Sequence, residues 1–189
     1  MTRVAQLTLI TTFLAFSWLA MQGVHELGHV LAAVATGGGI QKVVLHPLAF
    51  SRTDVSPNPH PLPVVWAGPL LGMVLPVMAW LLARRFRWPH VFLWRFFAGF
   101  CLATNGVYLL GGALVHEADP GDLIRLGVPR AVLVMIGFVA VVGGFRLWHG
   151  EGRHFGLGPA RGKVSGSAAA ASVVLLALMV AAELGCGGR

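Results

Sequence analysis

The pentapeptide His25-Glu26-Leu27-Gly28-His29 has residue types and a spacing that suit metal-dependent hydrolysis. In a helix, residues four positions apart share a face, so His25 and His29 can bind one metal ion together. Glu26 is displaced around the helix, where it can exchange a proton with a water molecule on the metal without being a ligand. The pattern therefore predicts a zinc site, with His25 and His29 as ligands and Glu26 as the catalytic residue.

The surroundings of this pentapeptide strengthen the prediction, because it interrupts a long apolar stretch between Val4 and Val34. An ionised side chain near the centre of a bilayer costs about 2.5–3.5 kcal/mol on insertion scales. Three neighbouring ionisable groups therefore need a compensating partner, and a Zn²⁺ ion would be one. A metal-free cluster of hydrogen bonds among the same side chains is the alternative that the residues leave open.

The composition is that of a membrane protein. Of the 189 residues, 56% are hydrophobic and 11% are charged, which excludes an ordinary soluble domain. The net charge of +7 comes from short basic clusters beside apolar segments, as at Arg84-Arg85-Phe86-Arg87. Such clusters are typical of contacts with lipid headgroups rather than with nucleic acid. We expect a multi-pass integral protein of the cell membrane that binds no nucleic acid.

Five apolar segments are long enough to cross a bilayer core of about 30 Å as helices. They are Leu7–Ala35, Leu62–Ala83, Val91–Val115, Pro129–Trp148 and Ser167–Leu184. Gly37-Gly38-Gly39 should end the first helix, and Ile40–Leu45 has the β-branched content of a short strand. The predicted fold class is an all-α polytopic membrane protein, with a short interfacial strand or hairpin after the first of about five transmembrane helices.

We expect residues 1–189 to form a single integral membrane domain. Its catalytic core is predicted to span about residues 7–126, and accessory helices follow at about 129–148 and 167–184. The Gly-rich, basic segment Gly150–Gly166 is expected to be a flexible surface linker. The sequence leaves the oligomeric state open.

A catalytic zinc site usually has three protein ligands and one open position, so a third ligand must come from elsewhere in the chain. Of the seven acidic residues, Glu117, Asp119 and Asp122 cluster directly after the third apolar segment. We predict Asp122 as the third ligand, because the sequence from Gly121 onward has the pattern of an amphipathic turn with one carboxylate facing inward. Asp119 ranks second and Glu117 third. Either aspartate can instead cap the N-terminus of a helix.

The pentapeptide in the first span and Ala67-Gly68-Pro69-Leu70-Leu71-Gly72 in the second together resemble the site-2 protease family of intramembrane zinc metalloproteases. The chain is most similar to small, minimal members of that family, over roughly residues 14–126. The resemblance implies a zinc metalloendopeptidase of the HExxH type that cleaves peptide bonds in or near transmembrane segments. Its substrate would be a transmembrane protein or peptide within the lipid bilayer.

The chain departs from the sequence pattern of that family at two places. Family members usually carry Asn where this chain has Gly72, and often an Asn-x-x-Pro element shortly before an Asp-Gly pair. Here Asn105 has no proline at that spacing, and Asp122 precedes a leucine. Asn105 can polarise a substrate carbonyl or form an interhelical hydrogen bond. Gly68 and Gly72 have the spacing of small residues that let a neighbouring helix approach closely.

Three other functions fit parts of the sequence. The first is a non-proteolytic metal-binding membrane protein, either an inactive homologue or a regulator. The second is a metal transporter, which would need polar residues along several spans, whereas polarity here is concentrated at one depth. The third is a membrane protease of another HExxH class that uses Glu117 as a glutamate ligand.

The orientation in the membrane has two opposing indicators. The distribution of Lys and Arg places the N-terminus, the loop at 84–90 and the segment at 150–166 on the cytoplasmic side. The family resemblance implies the opposite orientation.

Overall fold

The structure, a computed structural model, describes residues 2–186, so Met1 and residues 187–189 of the predicted domain lie outside the described part. Its elements are α1 (Thr2–Ala35), β1 (Ile40–Val44), β2 (Arg52–Val55), α2 (Pro61–Arg85), α3 (Val91–Val115), α4 (Ala118–Arg125), α5 (Arg130–Trp148) and α6 (Gly166–Cys186). Two 3₁₀ turns, Glu151–Phe155 and Gly158–Ala160, connect α5 to α6.

Within residues 2–186, every helix except α4 is long and apolar enough to cross a membrane, which gives five candidate spans. An α-helix satisfies its own backbone hydrogen bonds, and that is what a lipid environment requires. The predicted fold class and the predicted location as a multi-pass membrane protein are confirmed. The predicted span Val91–Val115 coincides with α3, whereas α1 begins five residues earlier than Leu7, at Thr2.

The facing residues show the direction of each helix. α1 and α2 are antiparallel, because His29 contacts Val64 while His25 lies near Gly68. α3 runs antiparallel to α2, and α5 runs antiparallel to α3. α6 runs parallel to α1, and a hydrogen bond of 2.7 Å joins their side chains near the starts of both helices. The N-terminal ends of α1, α3 and α6 therefore share one end of the bundle with the C-terminal ends of α2 and α5.

Two pairs of facing glycines hold α3 against α5. A Cβ atom on Gly106 would lie 2.7 Å from the carbonyl oxygen of Gly137, and one on Gly144 would lie 2.7 Å from that of Gly99. The hydrophobic effect does not drive helices together in lipid, so close backbone packing at small residues takes its place. These glycines give α3 a close-packed partner on the side away from α1 and α2.

A hairpin follows α1, as the sequence predicts. Gly37 adopts a φ of +76° directly after the helix, a conformation that glycine reaches without steric cost. β1 then pairs with β2 in an antiparallel register that places Lys42 opposite Asp54. The strand ends at Val44 rather than at Leu45, and β2 completes the hairpin.

The segment Gly150–Gly166 is folded against the bundle, so the prediction of a flexible linker is wrong. Phe155 is buried beside Leu9 of α1. Gln6 donates hydrogen bonds to the carbonyl groups of Phe155, at 3.0 Å, and of Gly156, at 2.9 Å. The glycines that suggested flexibility supply tight turns instead, as at Gly156 with a φ of +71°.

Candidate metal centre and active site

His25 and His29 lie side by side on α1, with ring centroids 4.9 Å apart. His29 Nδ1 is 2.8 Å from the backbone carbonyl oxygen of Val64. Because a carbonyl only accepts hydrogen bonds, this nitrogen carries the hydrogen. His25 Nδ1 is 2.9 Å from Asn105 Oδ1, and Asn105 Nδ2 donates to the carbonyl of Cys101, which fixes the orientation of the amide. In its neutral form, each ring therefore presents the lone pair of its Nε2 atom.

Asp119, in the first turn of α4, brings a carboxylate to these two nitrogen atoms. Its Oδ2 atom lies 3.0 Å from His25 Nε2 and 3.2 Å from His29 Nε2. Zinc with bonds of about 2.0–2.1 Å places its tetrahedral ligands about 3.3–3.4 Å apart. With a lone pair on each Nε2 atom, a cation between the two nitrogens and Asp119 Oδ2 would offset their mutual repulsion. The donor set of two imidazoles and one carboxylate fits zinc.

The negative charge of an ionised Asp119 suits the role of a metal ligand. Burial alone would raise the pKa of this carboxyl, but the rings of His25 and His29, when protonated at Nε2, donate hydrogen bonds to it that outweigh that effect and hold the pKa well below its usual range. Asp119 is therefore ionised. A single carboxylate beside two neutral imidazoles offsets half of the charge of a divalent cation.

A sharp turn between α3 and α4 directs Asp119 toward α1. His116 and Ala118 adopt positive φ values of 61° and 55°, which side chains other than glycine rarely do. Gly121 lies directly against the carbonyl group of His116, where a Cβ atom would not fit. The backbone N–H of Asp119 donates to the hydroxyl of Tyr108 at 3.1 Å. The first turn of α4 is thus held against α3.

The structure brings Asp119, and not Asp122, to the two histidines. Asp122 lines the same cavity, but its Oδ1 atom accepts a hydrogen bond of 2.6 Å from Arg125 and its side chain is 50% exposed. Glu117, the third candidate, is an exposed residue at the start of α4. The preference for Asp122 therefore does not match the geometry, because the turn before α4 presents its first carboxylate to α1.

Glu26 is 3% exposed and lies beside the histidines without joining the group of converging ligand atoms. Its Oε2 atom accepts a hydrogen bond of 2.7 Å from the hydroxyl of Thr53 in β2. One turn earlier on α1, Gln22 Oε1 accepts a bond of 3.1 Å from the backbone N–H of Ser51. The hairpin is therefore fastened to α1 at two points, one of them on Glu26 itself.

The Gly-Pro element of α2 passes close to the two histidines. A Cβ atom on Gly68 would lie 2.8 Å from His25 Nε2 and even closer to His29 Nε2. A Cβ atom on Gly72 would lie 2.8 Å from Asn105 Oδ1. Gly68 therefore keeps the space between the ligand nitrogens free. The amide of Asn105 fills the space that a side chain at position 72 would take.

Asn105 forms an interhelical hydrogen bond, one of the two roles expected for it. It contacts the Nδ1 side of His25, whereas Nε2, the atom that faces Asp119, lies on the opposite side of the ring. In this position Asn105 can orient the His25 ring. The same position does not suit contact with a substrate carbonyl at the metal.

Tyr108 is a site residue that the sequence reasoning missed. It is the single tyrosine of the chain, and its ring lies edge-on to that of His25 at a centroid distance of 5.4 Å. Its hydroxyl oxygen accepts the Asp119 N–H, as described above. Tyr108 follows Asn105 by three positions and so shares its helix face. That spacing is the signal that could have revealed it.

Two cavities meet at His25 and Glu26. The first, of about 340 Å³, lies between α1, α3 and the hairpin loop, and its lining is mostly apolar, with contributions from Trp18, Met21 and Phe50. The second, of about 490 Å³, lies between α1, α4 and the strand residues of the hairpin. Tyr108 lines both cavities. The first cavity reaches His25 and Glu26, and the second also reaches His29 and Asp119.

Comparison with protein families gives a match to the model of the Peptidase M50B-like family over residues 2–109. The matched stretch includes His25, Glu26 and His29 and ends before Asp119. It confirms the resemblance to the site-2 protease family that the sequence motifs suggested. Comparisons with curated proteins and with solved structures found no match.

Proposed function

Because the chain belongs to the Peptidase M50B-like family, a group of site-2 protease domains, we propose that it is a zinc-dependent intramembrane endopeptidase. It would hydrolyse peptide bonds in or near the transmembrane segments of other membrane proteins. The observation that carries this proposal is the convergence of His25, His29 and Asp119 on one point, with Glu26 beside them.

The two histidines and Asp119 would hold the zinc ion and leave its fourth position open. When bound there, zinc would polarise the scissile carbonyl group and lower the pKa of a water molecule. Neighbouring residues hold the two rings in position for the metal. Val64 and Asn105 fix the tautomers of the two rings, and Gly68 leaves the adjoining space free. Such outer contacts orient metal ligands and raise their basicity.

Glu26 is the general base in this proposal. It takes a proton from the attacking water molecule and delivers it to the leaving amine. The hydrogen bond from Thr53 occupies Oε2 and orients the carboxylate, which leaves Oε1 for the water. The low exposure of Glu26 keeps bulk solvent away from this proton transfer.

Tyr108 is the donor that we assign to the substrate carbonyl. Its oxygen accepts the Asp119 N–H, and its own hydrogen can turn from the Asp119 carboxylate toward a substrate carbonyl in the cavities that Tyr108 lines with His25 and Glu26. Asn105, the donor suggested by its residue type, instead faces the far side of His25. A donor aimed at the developing oxyanion typically contributes about 10²–10³ in rate.

The substrate would bind in an extended conformation, because the peptide bonds of an intact helix are hidden. The hairpin offers strand edges to which an unwound segment can add by backbone pairing. The cavity lined by Trp18, Met21 and Phe50 provides apolar surface beside Glu26 for side chains of a transmembrane segment.

The proposal is tested with the full chain purified in detergent. Zinc is measured per chain, and a labelled transmembrane peptide is incubated with the wild type and with Glu26→Gln. We expect one zinc per chain in both proteins, and cleavage that falls by at least about 100-fold in the variant. Zinc without cleavage by the wild type would favour a non-proteolytic metal-binding protein. Absence of zinc from the wild type would refute the metal centre.

A further inference from the structure

Basic side chains are concentrated at the end of the bundle where α1, α3 and α6 begin. Among residues 2–186, this basic end carries one acidic residue, Glu151, and nine basic residues: Arg3, Arg84, Arg85, Arg87, Arg95, Arg146, Arg153, Arg161 and Lys163. The opposite end of the described chain, with the hairpin and α4, carries four basic and six acidic residues: Lys42, Arg52, Arg125, Arg130, Glu26, Asp54, Glu117, Asp119, Asp122 and Glu183. The basic end therefore lies away from the candidate metal centre.

A cavity of about 510 Å³ opens at the basic end, between α2, α3 and the first 3₁₀ turn. Its ionisable lining residues are Arg84, His90, Arg95, Glu151, Arg153 and His154. Arg95 donates a hydrogen bond of 2.7 Å to Glu151, which is only 5% exposed. The carboxylate that lines the cavity, Glu151, is therefore already paired with Arg95. Arg84 and Arg153 form no ion pair with any carboxylate in the described part of the chain.

Tryptophans place this cavity at the depth of the lipid headgroups. Trp80 lines the cavity, and the rings of Trp88 and Trp94 pack edge to face nearby, with centroids 5.3 Å apart. Tryptophan is enriched at the boundary between membrane and water. The lipid-facing side chains of Leu81 and Phe86 are 48% and 62% exposed and are close in sequence to Arg84. An acyl chain could therefore lie beside α2 while its headgroup enters the cavity.

The start of α3 adds a second feature that favours an anion. α3 is 25 residues long, and His90, the residue directly before it, makes no capping hydrogen bond through its side chain. The first N–H groups of a helix lack partners within the helix and carry partial positive charge. Val91 and Phe92, which carry the first two of these groups in α3, line the cavity together with Arg84 and Arg153.

We propose that this cavity binds the phosphate group of an anionic phospholipid. Arg84 and Arg153 pair with the phosphate, and the first N–H groups of α3 contribute hydrogen bonds. Basic pockets between transmembrane helices bind such headgroups on the cytoplasmic side of membranes. The proposal therefore places the basic end in the cytoplasmic leaflet, in agreement with the distribution of Lys and Arg. It does not depend on the proposed peptidase activity.

Binding is measured with the full chain in detergent, by native mass spectrometry and by thermal unfolding. The added probes are phosphatidylglycerol, phosphatidylcholine and inorganic phosphate. We expect phosphatidylglycerol to bind and to raise the melting temperature, and the other two probes to do neither. The variants Arg84→Gln and Arg153→Gln should each weaken phosphatidylglycerol binding by about fivefold. Arg130→Gln is the matched control, since Arg130 is an exposed arginine at the opposite end.

Equal binding of the two phospholipids would overturn the proposal, and so would unchanged affinity in both variants. Inorganic phosphate that stabilises the protein as strongly as phosphatidylglycerol would show a site for free phosphate rather than for a lipid. Arg84 and Arg153 are both exposed, so their variants should keep the unfolding temperature of the wild type in the absence of lipid.

Discussion

The carboxylate of Asp119 lies 3.0 Å from the imidazole of His25, although 94 positions separate the two residues in the chain. Their meeting depends on four helices, since α1 and α4 carry the proposed ligands, α3 directs the turn before α4, and α2 passes the histidines at Gly68. A metal bound there would be linked to the packing of all four, so it should stabilise the folded bundle against unfolding.

Asp119→Ala should lose stoichiometric zinc, because it removes a carboxylate that meets both histidines. Asp122→Ala should keep zinc, because Asp122 pairs with the exposed Arg125 instead. Zinc per chain after gel filtration distinguishes the two. The opposite result, with zinc retained in Asp119→Ala and lost in Asp122→Ala, would restore the ligand predicted from the sequence.

Tyr108→Phe should keep zinc and leave KM close to that of the wild type, but lower kcat by about 10²–10³-fold. The substitution removes only the hydroxyl that we assign to the substrate carbonyl. Thr11→Val is a suitable control, since it removes a hydroxyl near the start of α1, far from the site. A loss of zinc in Tyr108→Phe would show that the hydroxyl acts by holding Asp119, and unchanged kcat would exclude the assigned role.

Gly68→Ala should impair zinc binding, because the added methyl group would collide with the Nε2 atoms of both histidines. The matched control is Gly111→Ala in α3, where a Cβ atom meets no neighbour within 4 Å. Zinc content and thermal unfolding are compared for both variants. Full zinc occupancy in Gly68→Ala would contradict the close approach of α2 to the ligands.

Asn105→Ala should weaken zinc binding by about 10–100-fold, as is typical when the outer partner of a metal-bound histidine is removed. The expected cause is a loss of control over the tautomer and orientation of His25. A competitive titration with a zinc chelator gives the affinity. Ser172→Ala, which also removes a buried polar group but on α6, should bind zinc as the wild type does.

Much of the architecture is predictable because apolar length and helical spacing decide it. A bilayer admits few structures other than helices, so the five spans follow from hydropathy. The neighbourhood of His25 and His29 follows from helical spacing, and the end of α1 follows from the glycines at 37–39.

The third carboxylate depends on backbone geometry that the sequence does not display. Asp119 and Asp122 are three positions apart on one short helix, so periodicity cannot rank them. The positive φ values of His116 and Ala118 decide which of the two aspartates faces α1. Because His and Ala rarely adopt a positive φ, this turn cannot be read from the residue types. The segment Gly150–Gly166 shows the same limit, because glycines in a turn and glycines in a mobile linker give the same composition.

The glycine pairs between α3 and α5 bear on how a substrate enters. They fix α3 on one side, so the wall that carries Asn105 and Tyr108 is a rigid one. On the other side, the apolar cavity separates α3 from α1, and the hairpin covers it through single hydrogen bonds to Gln22 and Glu26. A transmembrane segment that reached the site through this seam would pass the apolar lining first and would meet Glu26 with its carboxylate already oriented by Thr53.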